Sequence, residues 1–270
     1  MKVAITGASG FVGSYLLEAL RKEKITFATF NPKKHDLFRP ETLRDLVKDK
    51  DVIIHLAGVN RDDDLTNITK VNVLGTKGLL DAMLMYSPLA KLIFISSFQA
   101  YLQENIYGAS KRNAEELIES YVNRSKLTAI ILRFTNMYGP GSKPFYNSVI
   151  ATFAHQIQKG EPIVINGDGE QKRDYLYITD GANAIYKALS YTPQKVTYFD
   201  ICSGARSSLN EVLLVLQKYA QKEVIVRYNK EIESNDWGLH KNYQKAKKIL
   251  GWEPKISIEK GLQMLMKESQ

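Results

Sequence analysis

Cysteine is nearly missing from this chain: Cys202 stands alone among 270 residues. A lone thiol forms no internal disulfide, so the fold is no disulfide framework. The usage fits a reducing compartment, with Cys202 read as a small buried residue. Long apolar runs are missing too. None approaches the ~18–20 residues that cross a bilayer, so neither a transmembrane helix nor a membrane partner is expected. The first strand pattern starts at residue 2, leaving no room for a signal peptide, and a cytoplasmic protein is the expectation. No repeat, low-complexity tract or disordered linker interrupts the chain, and no metal site is expected. The net charge is +8, but the lysines are scattered and lack interleaved aromatics, so nucleic acid is not an expected partner. The charge reads as a solvated lysine-rich surface, with a sign that suits a diphosphate-bearing ligand.

What is present is the composition of a globular enzyme, 44% apolar and 24% charged. The length holds one large α/β domain, or one with a smaller lobe. Strand patterns over 2–6, 26–30, 51–55, 91–96 and 128–134 alternate with helical patterns over 11–22, 41–48, 65–86 and 107–124. This alternation predicts an α/β fold, a doubly wound parallel sheet of Rossmann type. Ligands then bind beyond the carboxyl ends of the strands. After Gly139-Pro140-Gly141 the pattern changes. A helix over 147–159, a strand over 163–165, the turn Asn166-Gly167-Asp168-Gly169, a strand over 174–177 and a helix over 179–190 lead to a late strand, 197–201, that returns to the sheet. A helix over 209–220, a strand over 224–227 and two terminal helices follow. The expected division is 1–139, with a returning segment near 174–203, for the sheet domain, and 140–173 with 204–270 for a small C-terminal lobe.

The run Gly7-Ala8-Ser9-Gly10-Phe11-Val12-Gly13 directly follows the apolar strand Val3-Ala4-Ile5-Thr6. A glycine turn between a strand and a helix lets backbone N–H groups and the helix N-terminus face a pyrophosphate. The spacing is G-x-x-G-x-x-G rather than the G-x-G-x-x-G of common dehydrogenases. About a hundred residues on, Tyr107 and Lys111 stand four apart on one helical face. An ammonium beside a phenol stabilises the phenolate, lowers the tyrosine pKa from its usual ~10 and readies it for proton exchange with a substrate oxygen. Ser96 and Ser97 end the preceding strand, at the carboxyl edge of the sheet, where Ser97 can hydrogen-bond the reacting oxygen.

These motifs resemble the extended short-chain dehydrogenase/reductase family, the branch of NAD(P)-dependent nucleotide-sugar epimerases, dehydratases and reductases. The resemblance spans nearly the whole chain. It rests on the glycine turn, His55-Leu56-Ala57-Gly58, Val71-Asn72-Val73-Leu74-Gly75-Thr76, Ile95-Ser96-Ser97, Tyr107-Gly108-Ala109-Ser110-Lys111 and Leu132-Arg133-Phe134-Thr135-Asn136-Met137-Tyr138-Gly139-Pro140. Gly167-Asp168-Gly169-Glu170-Gln171-Lys172-Arg173-Asp174-Tyr175 and Leu250-Gly251-Trp252-Glu253-Pro254 complete it. The resemblance implies Ser97, Tyr107 and Lys111 as the catalytic set. It places Gly7, Ser9, Gly10, Phe11, Val12 and Gly13 around the pyrophosphate, Asp36-Leu37 against the adenine, and Leu56, Ala57 and Gly58 along the adenosine. Asn72 and Ser96 would lie on the cofactor side, and Lys111 would also hold the nicotinamide ribose. Asn136, the segment Asn147-Ser148-Val149 and Arg173 resemble nucleotide-sugar contacts, with Arg173 at the diphosphate. A homodimer is implied by analogy.

Three departures narrow the reaction. First, no acid follows the second strand, where NAD-preferring members hold the ribose hydroxyls. Asn31, Lys33 and Lys34 stand there instead and suit a 2′-phosphate, so NADP(H) is favoured and NAD(H) is the alternative. Second, the family's 4,6-dehydratases place an Asp-Glu pair after the catalytic hydroxyl. Phe98 and Gln99 stand there, neither is a general acid or base, and both become substrate-contact candidates. Third, only nine residues separate Ser97 from Tyr107, fewer than in many epimerases. This last feature resembles bacterial capsule-type reductases of UDP-4-keto-6-deoxy-N-acetylhexosamines. Those enzymes also carry a C-terminal cupin domain, absent from these 270 residues, whose reaction does not carry over. The expected function is NADPH-dependent reduction of C4 in a UDP-4-keto sugar. A UDP-hexose 4-epimerase is the alternative, and a non-catalytic dinucleotide sensor a third reading.

Overall fold

The computed structural model describes residues 1–146, 148–221, 223–232 and 241–268. The chain forms two compact units. One comprises Met1–Phe134, Ala182–Ile201 and Gln244–Trp252; the other comprises the described residues within Thr135–Gly181, Cys202–Tyr243 and Glu253–Gln270. The boundaries differ from the expected ones in four places: residues 135–139, 174–181 and 202–203 go with the second unit, and 244–252 go with the first.

The first unit is built on a six-stranded parallel sheet. Its strands are β1 (Val3–Thr6), β2 (Phe27–Thr29), β3 (Val52–His55), β4 (Lys91–Ser97), β5 (Thr128–Phe134) and β9 (Val196–Ile201), in the order β2-β1-β3-β4-β5-β9. β4 and β5 are near-continuous apolar runs because helices cover both faces of the sheet. The chain leaves β1 toward one edge and β3 continues toward the other, so the strand order reverses between β1 and β3. Open α/β sheets bind ligands beside that switch point. Crossover helices α1 (Phe11–Lys22), α4 (Gly75–Tyr86) and α6 (Ile106–Asn123) supply the covering layers. Leu16 and Leu20 of α1 are fully buried. Leu79, Leu80 and Met83 of α4 meet Ala114, Ile118 and Val122 of α6 in one cluster with Ile53, Leu92 and Ile131 of the sheet.

The second unit holds two small sheets. β10 (Arg206–Ser208), β8 (Lys172–Tyr177) and β6 (Asn136–Tyr138) form one; β11 (Val226–Asn229) and β7 (Ile163–Asn166) form the other. Helices α7 (Val149–Lys159), α9 (Leu209–Ala220) and α11 (Ile258–Glu268) pack with them. α9 opens with a complete capping box, Ser208 and Glu211 each satisfying the other's backbone N–H.

The sequence pattern carries no sign of three short elements: β6, β10 and α5 (Gln99–Leu102). The helix expected over 65–86 is also not one regular helix. α3 (Leu65–Thr69) passes through a π-helical turn, Lys70–Leu74, into α4. That widened turn carries Asn72, and such turns often mark functional sites.

Candidate active site

The glycine turn is shaped for close approach. Gly7 has φ +71°, and a Cβ there would lie 2.4 Å from the backbone nitrogen of Ala57. Only glycine lets the turn after β1 meet Leu56 and Ala57 after β3. α1 then opens at Gly10 with no side-chain cap, so no cap side chain occupies its leading N–H groups. Ser9 is exposed and Phe11 and Val12 are half-buried at this mouth. A cradle that a Cβ would fill, beside an uncapped helix N-terminus, fits a dinucleotide pyrophosphate.

Behind the turn runs a buried chain of hydrogen bonds. The Thr76 hydroxyl donates to the Asn72 carbonyl at 2.6 Å, so it accepts from His55 Nε2 at 3.0 Å. The proton therefore sits on Nε2, and Nδ1 accepts from the Thr6 hydroxyl at 2.6 Å. Burial, reinforced by the charge of Lys111, pushes the His55 pKa down to about 3 and keeps the ring neutral. The Asn72 carboxamide clamps Val59, accepting from its N–H at 2.8 Å and donating to its carbonyl at 2.8 Å, and donates to Ser110 Oγ at 2.9 Å. Ser110 Oγ donates in turn to the carbonyl of Tyr107 at 2.8 Å. Asn72 thus braces the helix that carries Tyr107. Gly58 sits against both partners: a Cβ there would lie 2.9 Å from Asn72 Oδ1 and 3.4 Å from Lys111 Nζ.

Ser97, Tyr107 and Lys111 come together. α6 starts at Ile106 because Asn105 caps it, its Oδ1 accepting from the Gly108 N–H at 2.8 Å. The Lys111 ammonium donates to the Ile95 carbonyl at 2.8 Å and lies 5.9 Å from the centre of the Tyr107 ring. Burial lowers the Lys111 pKa to about 8, while the Glu115 carboxylate pulls it back up. Burial raises the Tyr107 pKa to about 12, and the neighbouring Ser97 hydroxyl offsets this only in part. This differs from the expected lowering. With the ammonium near the ring's face and held by Ile95, loss of solvation outweighs the lysine's effect on the phenol.

Two of the expected ligand contacts are engaged elsewhere. The Ser96 hydroxyl is buried and donates to Glu115 Oε1 at 2.6 Å. Phe98 is buried, its ring edge-on to Tyr101 and its N–H donating to the Phe134 carbonyl at 2.9 Å. Gln99 stays beside the start of α6: its N–H donates to Ser97 Oγ at 3.2 Å, and its Oε1 accepts from Asn105 at 2.9 Å.

After β2, Asn31 folds back in a turn, its Oδ1 accepting from the Lys33 N–H at 3.0 Å. His35 pins that turn, with Nδ1 accepting from the Asn31 N–H at 2.9 Å and Nε2 donating to Asp45 Oδ1 at 2.9 Å. Lys33 and Lys34 are left exposed. Asp36 Oδ1 accepts from the Phe38 N–H at 2.9 Å, and Leu37 packs on α4 against Gly75.

In the second unit, strand register puts Asn136 opposite Tyr175, on the face that also carries Arg173. Asn136 Nδ2 donates to the Asp174 carbonyl at 3.0 Å, and Arg173 is half-buried with Nη1 on the Lys172 carbonyl at 2.9 Å. Ser148 caps α7, accepting from the Ala151 N–H at 3.2 Å, and Val149 is the helix's first residue. Asn147 lies outside the described residues.

Sequence reasoning gave no individual role to the residues that support the cluster: His55, Ser110, Glu115 and Arg133. Signals for two of them exist. Glu115 falls one helical turn after Lys111, and Arg133 is a lone charge inside the apolar run of β5.

A parallel sheet with an open glycine turn at its switch point, and a serine, tyrosine and lysine gathered at the strand ends, defines the extended short-chain dehydrogenase/reductase class. The chain belongs to the NAD dependent epimerase/dehydratase family, whose model matches residues 3–201. It is 33% identical, over 204 residues, to a UDP-2-acetamido-2,6-beta-L-arabino-hexul-4-ose reductase of Pseudomonas aeruginosa, covering 72% of this chain and 54% of that protein. The fold matches that of RMD from Pseudomonas aeruginosa, solved with NADPH, at a TM-score of 0.87 and 26% identity over 99% of this chain and 98% of the other. A UDP-glucose 4-epimerase from Thermotoga maritima, solved with UDP-glucose, matches with the same TM-score of 0.87, identity of 26% and coverage of 99% and 98%.

Proposed function

We propose that this chain is an NADPH-dependent reductase that acts on the C4 keto group of a UDP-4-keto-6-deoxy-N-acetylhexose in bacterial surface-polysaccharide synthesis. The observation that carries the reading is the 33% identity over 204 residues to a hexulose reductase, in a chain that gathers Ser97, Tyr107 and Lys111. Tyr107, with its pKa at about 12, is a neutral phenol at physiological pH, and Lys111, at about 8, is mostly an ammonium. Such a pair stands ready to give a proton to a developing alkoxide, the direction that a ketone reduction requires. The likeness to the hexulose reductase supports the substrate class.

The turn at Gly7 and Gly10 would hold the pyrophosphate, and Lys33 and Lys34 a 2′-phosphate. Reduced nicotinamide supplies the hydride when it is bound. Ser97 orients the C4 oxygen by a hydrogen bond. Tyr107 delivers its hydroxyl proton to that oxygen as charge develops there. Lys111 holds the ribose and lowers the cost of the phenolate left behind. Asn136 and Arg173 serve as nucleotide-sugar contacts, Arg173 matching a diphosphate by charge and fork geometry.

A UDP-hexose 4-epimerase is the second reading, supported by the end-to-end likeness to the Thermotoga maritima enzyme. The two differ in cofactor economy. A reductase consumes NADPH one-for-one with product, whereas an epimerase keeps bound NAD⁺ and shows no net oxidation. Mixing the protein with NADPH and a panel of UDP- and dTDP-4-keto sugars, with nicotinamide absorbance and product NMR as readouts, separates them.

A further inference from the structure

Glu115 and Arg133 form a buried ion pair that the proton-transfer chemistry does not itself use. Glu115 is fully buried on α6, one turn beyond Lys111 and two beyond Tyr107, on the same helical face. Arg133, 6% exposed, reaches it from β5: Nε donates to Glu115 Oε1 at 2.8 Å and Nη2 donates to Oε2. The same Oε1 accepts from the Ser96 hydroxyl at 2.6 Å. One residue earlier on that strand, the Ile95 carbonyl accepts from Lys111 at 2.8 Å. Adjacent residues of β4 are therefore tied to adjacent turns of α6, and the next residue on the strand is Ser97.

The guanidinium is held from both sides. Its centre lies 4.1 Å from the Tyr101 ring and 4.5 Å from the Tyr198 ring. Tyr101 belongs to α5, the turn that directly follows Ser97, and its hydroxyl donates to Asp200 at 2.7 Å; the Tyr198 hydroxyl donates to Glu119 at 2.6 Å. One side chain thus touches the fold on both sides of the Ser97 segment.

A buried, desolvated ion pair is weak as a source of stability, because apolar side chains of similar volume often do as well. Its retention here coincides with contacts that fix the spacing between a strand end and a helix. We propose that Glu115 and Arg133 are positioning residues that hold Ser97 in register with Tyr107 and Lys111. This rests on the reductase reading only for its catalytic readout. Glu115 has a second effect, since its carboxylate favours the Lys111 ammonium against burial. The titratable groups facing Lys111 are Tyr107 and Glu115 on α6 and His55 on β3. Those facing Glu115 are Arg112 on its own helix, Arg133 on β5 and Tyr198 on β9.

The test uses Glu115→Gln and the double variant Glu115→Gln/Arg133→Met, which removes both charges and so leaves no uncompensated buried ion. Two readouts are followed: kcat and KM with NADPH and the 4-keto sugar, and Kd for NADPH from nicotinamide fluorescence between pH 6 and 10. The expected result is a kcat lower by up to about 100-fold with KM within about threefold, as for a misplaced catalytic group. In Glu115→Gln, the pH above which NADPH binding weakens also moves down by about one unit. The double variant regains melting temperature without regaining kcat. Wild-type kcat in the double variant, or a lowered melting temperature with an unmoved binding profile in Glu115→Gln, overturns the proposal in favour of a purely structural pair. If the wild type reduces no 4-keto sugar, the reductase reading fails, and the NADPH binding profile alone decides the role of Glu115.

Discussion

At the scale of single residues, the account turns on a phenol kept protonated. Tyr107 sits with Ser97 and Lys111, and burial raises its pKa to about 12. Tyr107→Phe keeps the ring and loses the proton. It is expected to lower the reduction rate by about 10²–10⁴-fold, the usual worth of a general acid, while NADPH still quenches protein fluorescence with nearly unchanged Kd. Loss of NADPH binding alongside activity would instead point to a damaged fold. His55 gives a prediction about stability. Its folded pKa is pushed down to about 3 from an ordinary value of 6.5. Between those values the unfolded chain binds a proton that the folded chain refuses. The neutral imidazole's contribution is therefore complete above pH 6.5 and is lost as the pH falls toward 3, with a slope approaching about 1.4 kcal/mol per pH unit. Urea unfolding across that range should show this slope in the wild type and a shallower one in His55→Gln.

At the scale of elements, the turn between β1 and α1 carries the cofactor assignment. Gly7→Ala puts a Cβ 2.4 Å from the Ala57 nitrogen at a φ of +71°. The substitution should destabilise the protein by about 1–3 kcal/mol and weaken NADPH binding at least tenfold, read by thermal melting and fluorescence titration. The turn after β2 exposes Lys33 and Lys34, which the proposed reading gives to a 2′-phosphate. Replacing Lys33 and Lys34 with Glu should weaken NADPH binding well beyond NADH binding. Equal loss for both would mean that these lysines face only solvent. The same elements show what a sequence yields. α1 and α9 are bounded as their apolar spacing predicts, because each buries one stripe and is punctuated by local signals. β6, β10 and α5 escaped because three or four residues carry no period, and their pairing partners are distant in the chain. The π-helical turn at Asn72 escaped for a related reason: Val59 and Ser110, which hold that side chain, are set by tertiary contact and leave no local trace. The pair Tyr107 and Lys111 showed in the sequence by its four-residue spacing, and Ser97 by its place at a strand end. Glu115 and Arg133 left only faint signals, a helical spacing from Lys111 and a lone charge in an apolar strand, and their pairing with each other is set by tertiary contact.

At the scale of the whole molecule, the parallel sheet places its switch point beside the glycine turn, and the strand ends of β3 and β4 gather the cluster. The second unit carries Asn136 and Arg173 on one sheet face. Proteins similar to this chain include both a reductase and an epimerase. What separates them is the fate of the hydride. The most direct measurement is a single reaction of the protein with NADPH and a UDP-4-keto-6-deoxy-N-acetylhexose, recording nicotinamide absorbance and the product's C4 proton by NMR. The account predicts one NADPH oxidised per C4 alcohol formed. Interconversion of UDP-hexose epimers by the purified protein, with no added cofactor and no net change in absorbance, would contradict it.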